Sequence, residues 1–246
     1  MSGHSKWSTI KRKKGAEDAR RGKIFTRLGR DITLAARNGG DPSANAALRL
    51  AIEKAKAANM PKENIERAIK RGTGELEGGA LDEVTYESYA PHGVAVLIRC
   101  LTDNRNRTLA DVRRVLNRGG GNLAEAGAVA WMLESKGLIT LERCQHDPDE
   151  LFMTAVEAGA EDVDVGGDVV EVYTAPSDLH SVREALEKQG LVVDEADLSM
   201  VPKTLVSLGD KETLQVLHLI EQLEELDDVQ QIYSNLDIPE EILAAA

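Results

Sequence analysis

The order of predicted secondary structure between residues 138 and 201 restricts the fold of this chain more than any other feature. Six elements follow one another there as strand, helix, strand, strand, helix and strand. This order is the signature of a ferredoxin-like α+β domain, and about 65 residues suit it. The predicted ranges are Leu138–Leu141, Asp149–Ala158, Val163–Val165, Val169–Tyr173, Ser177–Gln189, and either Leu191–Val193 or the later run to Val201.

The elements on either side of this unit are predicted to share a second α+β domain. Two strands and a helix precede the unit, and a helix and a strand follow it. The ferredoxin-like unit is already complete, so the later helix and strand can complete only the earlier elements. We therefore expect the ferredoxin-like domain to be inserted in the second domain. The flanking ranges are Val84–Tyr89, Val94–Leu101 and Thr108–Arg118 before the unit, and Lys211–Leu226 and Val229–Tyr233 after it.

Helical spacing of apolar residues predicts three helices before residue 74. The first runs from about Ala16 to Asn38, the second from about Asn45 to Asn59, and the third from Pro61 to Gly72. Short links between them predict a small bundle. The expected fold is therefore a multidomain α+β protein. Its predicted domains are residues 1–78 (a basic arm and helical bundle), 79–134 with 205–246 (a discontinuous α+β domain), and 135–204 (the ferredoxin-like domain).

Charge is divided unevenly along the chain. Residues 1–74 hold eighteen Lys and Arg against seven Asp and Glu, a net charge of +11, whereas residues 75–246 hold twelve against thirty-five, a net charge of −23. An asymmetry of this size predicts one end that binds a polyanion and a body that does not. Nucleic acid is the leading candidate, because neutralisation of phosphates by Lys and Arg supplies most non-specific affinity for it.

Several other classes of protein are disfavoured by the sequence. Cys100 and Cys144 lack the spacing of a metal site, so neither a zinc site nor a disulfide framework is expected. The sequence shows no secretory signal and no apolar stretch of membrane length, which predicts a cytoplasmic protein without a membrane partner. The run Gly119–Gly121 lacks the ending of a phosphate-binding loop, and no catalytic constellation is visible. We expect no enzyme activity and no cofactor. We make no prediction of the oligomeric state.

Short motifs along the whole chain resemble those of the YebC/PmpR family. Bacterial members of that family are described as probable DNA-binding transcriptional regulators, and mitochondrial relatives resemble activators of translation. The resemblance implies a helical domain followed by two α+β domains, with the third inserted in the second. It also implies a cytoplasmic protein whose partner is DNA or the ribosome. The motifs are Gly3–Trp7, Arg21–Thr26, Ala57–Pro61, Leu101–Thr108, Gly119–Leu123, Glu157–Asp162 and Ser199–Pro202.

The basic arm and the start of the first helix form the first candidate site. Eight cations fall within eighteen residues there, which favours contact with nucleic-acid phosphates over a merely solvated charged end. Trp7 either stacks on an exposed base or anchors the arm on the bundle. The candidate cations are Lys6, Lys11, Arg12, Lys13, Lys14, Arg20, Arg21 and Lys23.

A second candidate site lies around Arg105 and Arg107, which are predicted to sit between a strand and a helix. Arginine and asparagine can hydrogen-bond phosphates and base edges of RNA. The alternative is a structural loop in which Asn106 or Thr108 caps the helix and Asp103 pairs with an arginine. The cations of the following helix extend this surface. They are Arg113, Arg114 and Arg118.

These features leave three functional hypotheses open. The first is a DNA-binding transcriptional regulator, although no recognition helix of helix-turn-helix type is obvious. The second is a ribosome-associated translation factor that binds ribosomal RNA and relieves stalling, for example at proline runs, as the resemblance implies. The third is a protein-interaction module that uses the ferredoxin-like sheet. The residues suit recognition of phosphates and shape better than readout of bases.

Overall fold

The computed structural model describes residues 17–76, 81–142, 147–165 and 169–245. In chain order the helices and strands are α1 (Glu17–Ala36), α2 (Ala46–Ala57), α3 (Lys62–Gly72), β1 (Asp82–Tyr89), β2 (Ala95–Thr102), α4 (Arg105–Arg118), β3 (Asn122–Leu123), β4 (Leu133–Glu142), α5 (Pro148–Glu157), β5 (Asp162–Asp164), β6 (Val169–Thr174), α6 (Leu179–Lys188), β7 (Val193–Pro202), β8 (Val206–Ser207), α7 (Asp210–Glu224), β9 (Val229–Ser234), β10 (Leu236–Asp237) and α8 (Glu240–Ala245).

Helices α1, α2 and α3 form a bundle, called the head below. Apolar residues from all three helices, including Ile32, Leu48 and Ile65, are buried together in its core. The Asn45 side chain caps α2 by accepting a hydrogen bond from the Leu48 backbone amide at 3.1 Å. Gly72 ends α3 where the helix meets α1 so closely that an added Cβ would lie 2.4 Å from the Thr33 carbonyl oxygen. The three predicted helices are confirmed.

The first sheet has the strand order β3-β1-β2-β9 and is antiparallel throughout. Strand β9 pairs with β2 in a register that places Ile98 opposite Ile232, although the whole ferredoxin-like unit separates the two strands in sequence. Elements from before and after that unit therefore share one sheet, called the central sheet below. This pairing confirms the predicted insertion, whereas the individual domain boundaries stay a prediction.

Each face of the central sheet is covered by a different part of the chain. Helices α4 and α7 pack on one face, where Val112, Leu217 and Ile220 are buried against the strands. On the other face, the segment that precedes β4 covers β2. The Glu87 carboxylate holds this segment by accepting hydrogen bonds from the backbone amides of Gly127, Val129 and Ala130.

The second sheet has the order β5-β6-β4-β7, and every neighbouring pair is antiparallel. This is the strand order of the ferredoxin-like fold, and helices α5 and α6 bury the core on one face of the sheet. The register of β4 with β7 begins with Leu133 opposite Pro202. The predicted element order is therefore confirmed.

Several element boundaries differ from the prediction. The last strand of the ferredoxin-like unit is the later run, β7, and β4 begins five residues before the predicted Leu138, because pairing with β7 extends it through polar residues. Helix α4 begins at Arg105 rather than at Thr108, so Arg105 and Arg107 lie in the helix and not in the loop before it. Two-residue strands such as β3 were not predicted, since they are too short to show a period.

Candidate nucleic-acid interface

Most of the predicted site residues of the arm lie outside the described residues. Arg20 and Arg21 lie near the start of α1, where only the backbone is described. The other predicted residues of the arm lie outside the described residues, and their role stays a prediction. They are Lys6, Trp7, Lys11, Arg12, Lys13 and Lys14.

The loop before α4 is held by a network of side-chain hydrogen bonds. Asn104 is the N-cap of the helix, and its side chain accepts a hydrogen bond from the Arg107 backbone amide at 3.1 Å. The predicted cap at Asn106 or Thr108 is therefore wrong, because the helix begins three residues earlier. Thr108 instead points inward, where its hydroxyl lies 2.7 Å from that of Thr102.

A single carboxylate, that of Asp228, joins this loop to the head. Its Oδ2 accepts a hydrogen bond from the Thr108 hydroxyl at 2.7 Å and from Arg107 at 3.0 Å. Its Oδ1 lies 2.9 Å from the Arg30 guanidinium of the head. Burial raises the pKa of Asp228, but the bonds from Thr108 and Arg107 and the charge of Arg30 outweigh it and hold that pKa below its usual value. Asp228 therefore stays ionised and links three parts of the chain.

Arg105 and Arg107 both form ion pairs while remaining exposed. The Arg105 Nε lies 2.9 Å from the Asp82 carboxylate, and Arg107 lies 2.7 Å from that of Asp103. The predicted pairing of Asp103 with an arginine is confirmed. Since a guanidinium carries five N–H donors, these contacts leave donors directed to solvent. The exposed fractions of the two side chains are 62% and 49%.

The outward surface of α4 carries four arginines, called the arginine face below: Arg107, Arg113, Arg114 and Arg118. Arg107, Arg114 and Arg118 follow one another at intervals of seven and four, so they share one side of the helix, and Arg113 lies about 100° around the helix axis from Arg114. Arg114 pairs with Asp111 at 2.9 Å. Arg113 and Arg118 are exposed and form no ion pair within the part of the chain that the structure describes.

The exposed side chain of Lys23 forms a hydrogen bond within the protein. Its Nζ donates to the Glu225 carbonyl oxygen at 3.2 Å. Two further cations of α1, Arg27 and Arg30, donate to the carbonyl oxygens of Glu224 and Asp227. Arg27 and Arg30 were not among the predicted site residues, because nothing in a single sequence reveals that α1 meets the end of α7.

The head has further exposed cations that the prediction left out. Six of them form no ion pair in the described ranges, whereas Lys62 pairs with Glu66 and Lys54 pairs with Asp197. They contribute to the net charge of +11, but no short run of basic residues marks them. The six are Arg37, Arg49, Lys56, Arg67, Lys70 and Arg71.

A second polar junction lies where the head meets both sheets. Lys54 of the head pairs with Asp197 of β7, and Arg99 of β2 pairs with Glu83 of β1. Asp31 of α1 is partly buried among these charges. Burial raises the pKa of Asp31 to about 6, although Arg99 and Lys54 oppose the rise.

Comparison with known proteins places these features in a family. A model of the TACO1/YebC protein N-terminal domain matches residues 5–75, and a model of the TACO1/YebC second and third domain matches residues 81–236. None of the helices in the described ranges is long and apolar enough to cross a membrane.

Full-length relatives are named as regulators. A probable transcriptional regulatory protein of Moorella thermoacetica is 56% identical, over 99% of this chain and 98% of that protein. One of Geobacter sulfurreducens is 54% identical, over 98% of each. The crystal structure of a conserved hypothetical protein, Aq1575 of Aquifex aeolicus, is also similar to this chain. The match covers 92% of this chain and 94% of the Aq1575 chain, with 49% identity and a TM-score of 0.84. The chain belongs to the TACO1/YebC family.

Proposed function

We propose that this protein is a cytoplasmic, nucleic-acid-binding regulator of gene expression that acts by binding DNA. The observation that carries the proposal is the arginine face of α4. Its members Arg113 and Arg118 are exposed without an ion-pair partner among the described residues, in a region of the chain that is otherwise strongly acidic. Unpaired guanidinium groups on a rigid helix are suited to phosphate contacts.

DNA is the first candidate ligand because the full-length relatives are named probable transcriptional regulatory proteins. The basic head supplies a second group of cations for the same backbone. Its six exposed cations without ion pairs add to the arginine face, and the cations of the arm, predicted from the sequence, add to both. Phosphate contacts of this kind position a protein on a duplex without reading its sequence.

Ribosomal RNA is the second candidate, and the surface of α3 favours it. Helices α2 and α3 are separated by a four-residue turn, which is the arrangement of a helix-turn-helix pair. However, the N-terminal half of α3, the part that would contact bases in such a pair, carries Glu63 and Glu66. Its cations without ion pairs among the described residues, Arg67, Lys70 and Arg71, lie in the C-terminal half. The cations therefore suit recognition of phosphates and shape, which would serve on structured RNA as well as on DNA.

Neutralisation of the arginine face tests the proposal directly. The slope of log Kobs for duplex DNA against the logarithm of the salt concentration counts the phosphate contacts. In the double variant Arg113→Gln/Arg118→Gln this slope should become shallower by about 0.9 for each contact that is lost. The matched control is Arg183→Gln/Lys211→Gln, which removes the same charge from α6 and α7. A slope that stays unchanged in the first variant, or changes equally in both, would show that the arginine face does not contact phosphates.

Crosslinking in cells, followed by sequencing of bound DNA and RNA, distinguishes the two ligands. Enrichment of a few promoters without ribosomal RNA supports the transcriptional role. Cosedimentation with ribosomes that survives digestion of DNA would contradict a purely transcriptional role and support the ribosomal one. Both measurements use the full chain.

A further inference from the structure

Three cations of α1 form a line that faces the end of α7. Lys23, Arg27 and Arg30 are spaced by four and three residues, so their side chains leave the same side of the helix. We call them the α1 stripe. With a rise of 1.5 Å per residue the stripe is about 10 Å long, which equals about three axial steps of about 3.4 Å between successive phosphates of one strand.

Each member of the stripe is bound to oxygen atoms at the α7–β9 turn, called the α7 corner below (residues 224–228). Lys23, Arg27 and Arg30 donate to three backbone carbonyls of the corner, and Arg30 also pairs with the Asp228 carboxylate. The last carbonyls of a helix have no partner within the helix, and they carry the negative end of its dipole. The corner thus offers the stripe a row of partly negative oxygens, as a phosphate backbone would.

The remaining contact between the head and the body is mainly polar. The buried apolar cluster of the head contains residues of α1, α2 and α3 and the turns between them, and no apolar cluster of the described residues includes both head and body. Lys54 with Asp197 adds another ion pair. Such contacts are weakened by salt and can be exchanged for contacts with another anion, unlike a shared hydrophobic core.

The corner and a nucleic acid cannot occupy the stripe together. Three acidic side chains at the surface of the corner, those of Glu224, Glu225 and Asp227, would repel an approaching phosphate backbone. Access to the stripe therefore requires the head to separate from the corner. The backbone amides of residues 73–76 bond back to α3, so five residues, 77–81, join the head to β1. A chain of that length can span about 17 Å when extended, so a separation of this size does not require either part to unfold.

We propose that the α1 stripe is a concealed phosphate-binding surface, and that the α7 corner covers it until a nucleic-acid backbone replaces the corner's oxygens. The protein then has a closed state and an open, ligand-bound state of the head. This inference rests on the proposed binding of nucleic acid, but it adds a site and its regulation. Neutralising the exposed acids of the corner leaves its carbonyl oxygens and the stripe in place but removes negative charge that attracts the cations, which favours the open state. Neutralising the stripe also favours the open state but removes the binding groups.

Energy transfer between two dyes on the full chain measures the separation. The dyes are attached at Ala47→Cys on α2 and Lys211→Cys at the start of α7, with Cys144→Ser to prevent a third label. Cys100 stays unlabelled because burial raises its thiol pKa to about 12. Random-sequence duplex DNA, total ribosomal RNA and inorganic polyphosphate serve as probes, and the fluorescence anisotropy of a labelled probe reports binding independently.

Saturating DNA or RNA should lower the transfer efficiency. The corner variant Glu224→Gln/Glu225→Gln/Asp227→Asn should lower it without a ligand and tighten binding by about tenfold, since less of the protein is closed. The stripe variant Arg27→Gln/Arg30→Gln should also lower it but weaken binding. The control Glu125→Gln/Glu134→Gln/Glu157→Gln removes as many exposed acids elsewhere and should change the transfer little.

Three results would overturn the inference. Unchanged transfer at saturating anisotropy would show that ligands bind without opening the head, and the proposed function would survive. Equal tightening by the corner variant and by the control would show a general effect of net charge. No anisotropy change with any probe would overturn both the proposed function and this inference.

Discussion

The partly buried carboxylate of Asp31 gives the sharpest test of the junction between the head and the two sheets. Burial raises its pKa from 3.8 to about 6, against the attraction of Arg99 and Lys54. Because the folded pKa lies above the unfolded one, the favourable contribution of Asp31 is complete below about pH 4 and is lost as the pH rises through about 6. The variant Asp31→Asn keeps the shape of the side chain and removes this titration.

The size of the effect follows from the shift. A shift of about two pKa units corresponds to about 3 kcal/mol across the whole range. About 2 kcal/mol of this contribution to the free energy of unfolding should be lost between roughly pH 4.5 and pH 7.5. Relative to the wild type, Asp31→Asn should therefore gain about 2 kcal/mol of unfolding free energy over that interval. The remaining titrating groups are common to both proteins, so they cancel in the difference.

Two measurements check this expectation. Carboxyl carbon NMR, with the resonance assigned by its absence from Asp31→Asn, should give a midpoint near pH 6. Urea unfolding of both proteins, followed by circular dichroism at each pH, should give the free-energy difference. A midpoint at or below pH 4, or a difference that does not change with pH, would refute the reasoning that Asp31 is shielded from water at an intact junction.

Two further predictions concern packing and ion pairing. Asp228→Asn should lower the unfolding free energy by about 2–3 kcal/mol, because Arg30 loses a largely buried charge partner; urea unfolding that matches the wild type would contradict this. Gly72→Ala should lower the free energy of unfolding by about 2 kcal/mol, because the added Cβ would clash with the backbone of α1. In Gly22→Ala the added Cβ meets no atom within 4 Å, so this variant should be neutral or stabilised by about 0.5–1 kcal/mol. Thermal unfolding of both glycine variants gives the comparison, and equal effects would show that close packing at Gly72 is not the cause.

The larger elements were predictable from the sequence because their periodicity extends over many residues. The ferredoxin-like order was read correctly, and counting elements then required the insertion. The exact start of a helix was harder to predict where several neighbouring residues could each cap it. The segment Asp103–Thr108 contains two asparagines and two hydroxyl or carboxyl groups that could each cap a helix, and propensity alone favoured the later start.

The candidate site was only partly predictable, and for a different reason. Arg113 and Arg114 were selected correctly as members of a helix, and the structure leaves them exposed. The role of Lys23, Arg27 and Arg30 at the α7 corner depends on residues about 200 positions away in the chain. No local pattern distinguishes a cation that awaits a phosphate from one that already binds a carbonyl, so charge counting could not separate them.

The pairing of Leu133 with Pro202 has a consequence for how one domain can contain another. These residues lie opposite each other where the ferredoxin-like unit leaves and rejoins the rest of the chain, and the Lys203 amide continues the ladder by donating to the Met132 carbonyl. Opposite Cα atoms in an antiparallel pair are about 5 Å apart. The two ends of the insertion are therefore held side by side, as the two strands of a hairpin are, before the central sheet closes. Its length therefore adds almost no entropic penalty to closing that sheet, and the two units are free to diverge in size and sequence without disturbing each other's topology.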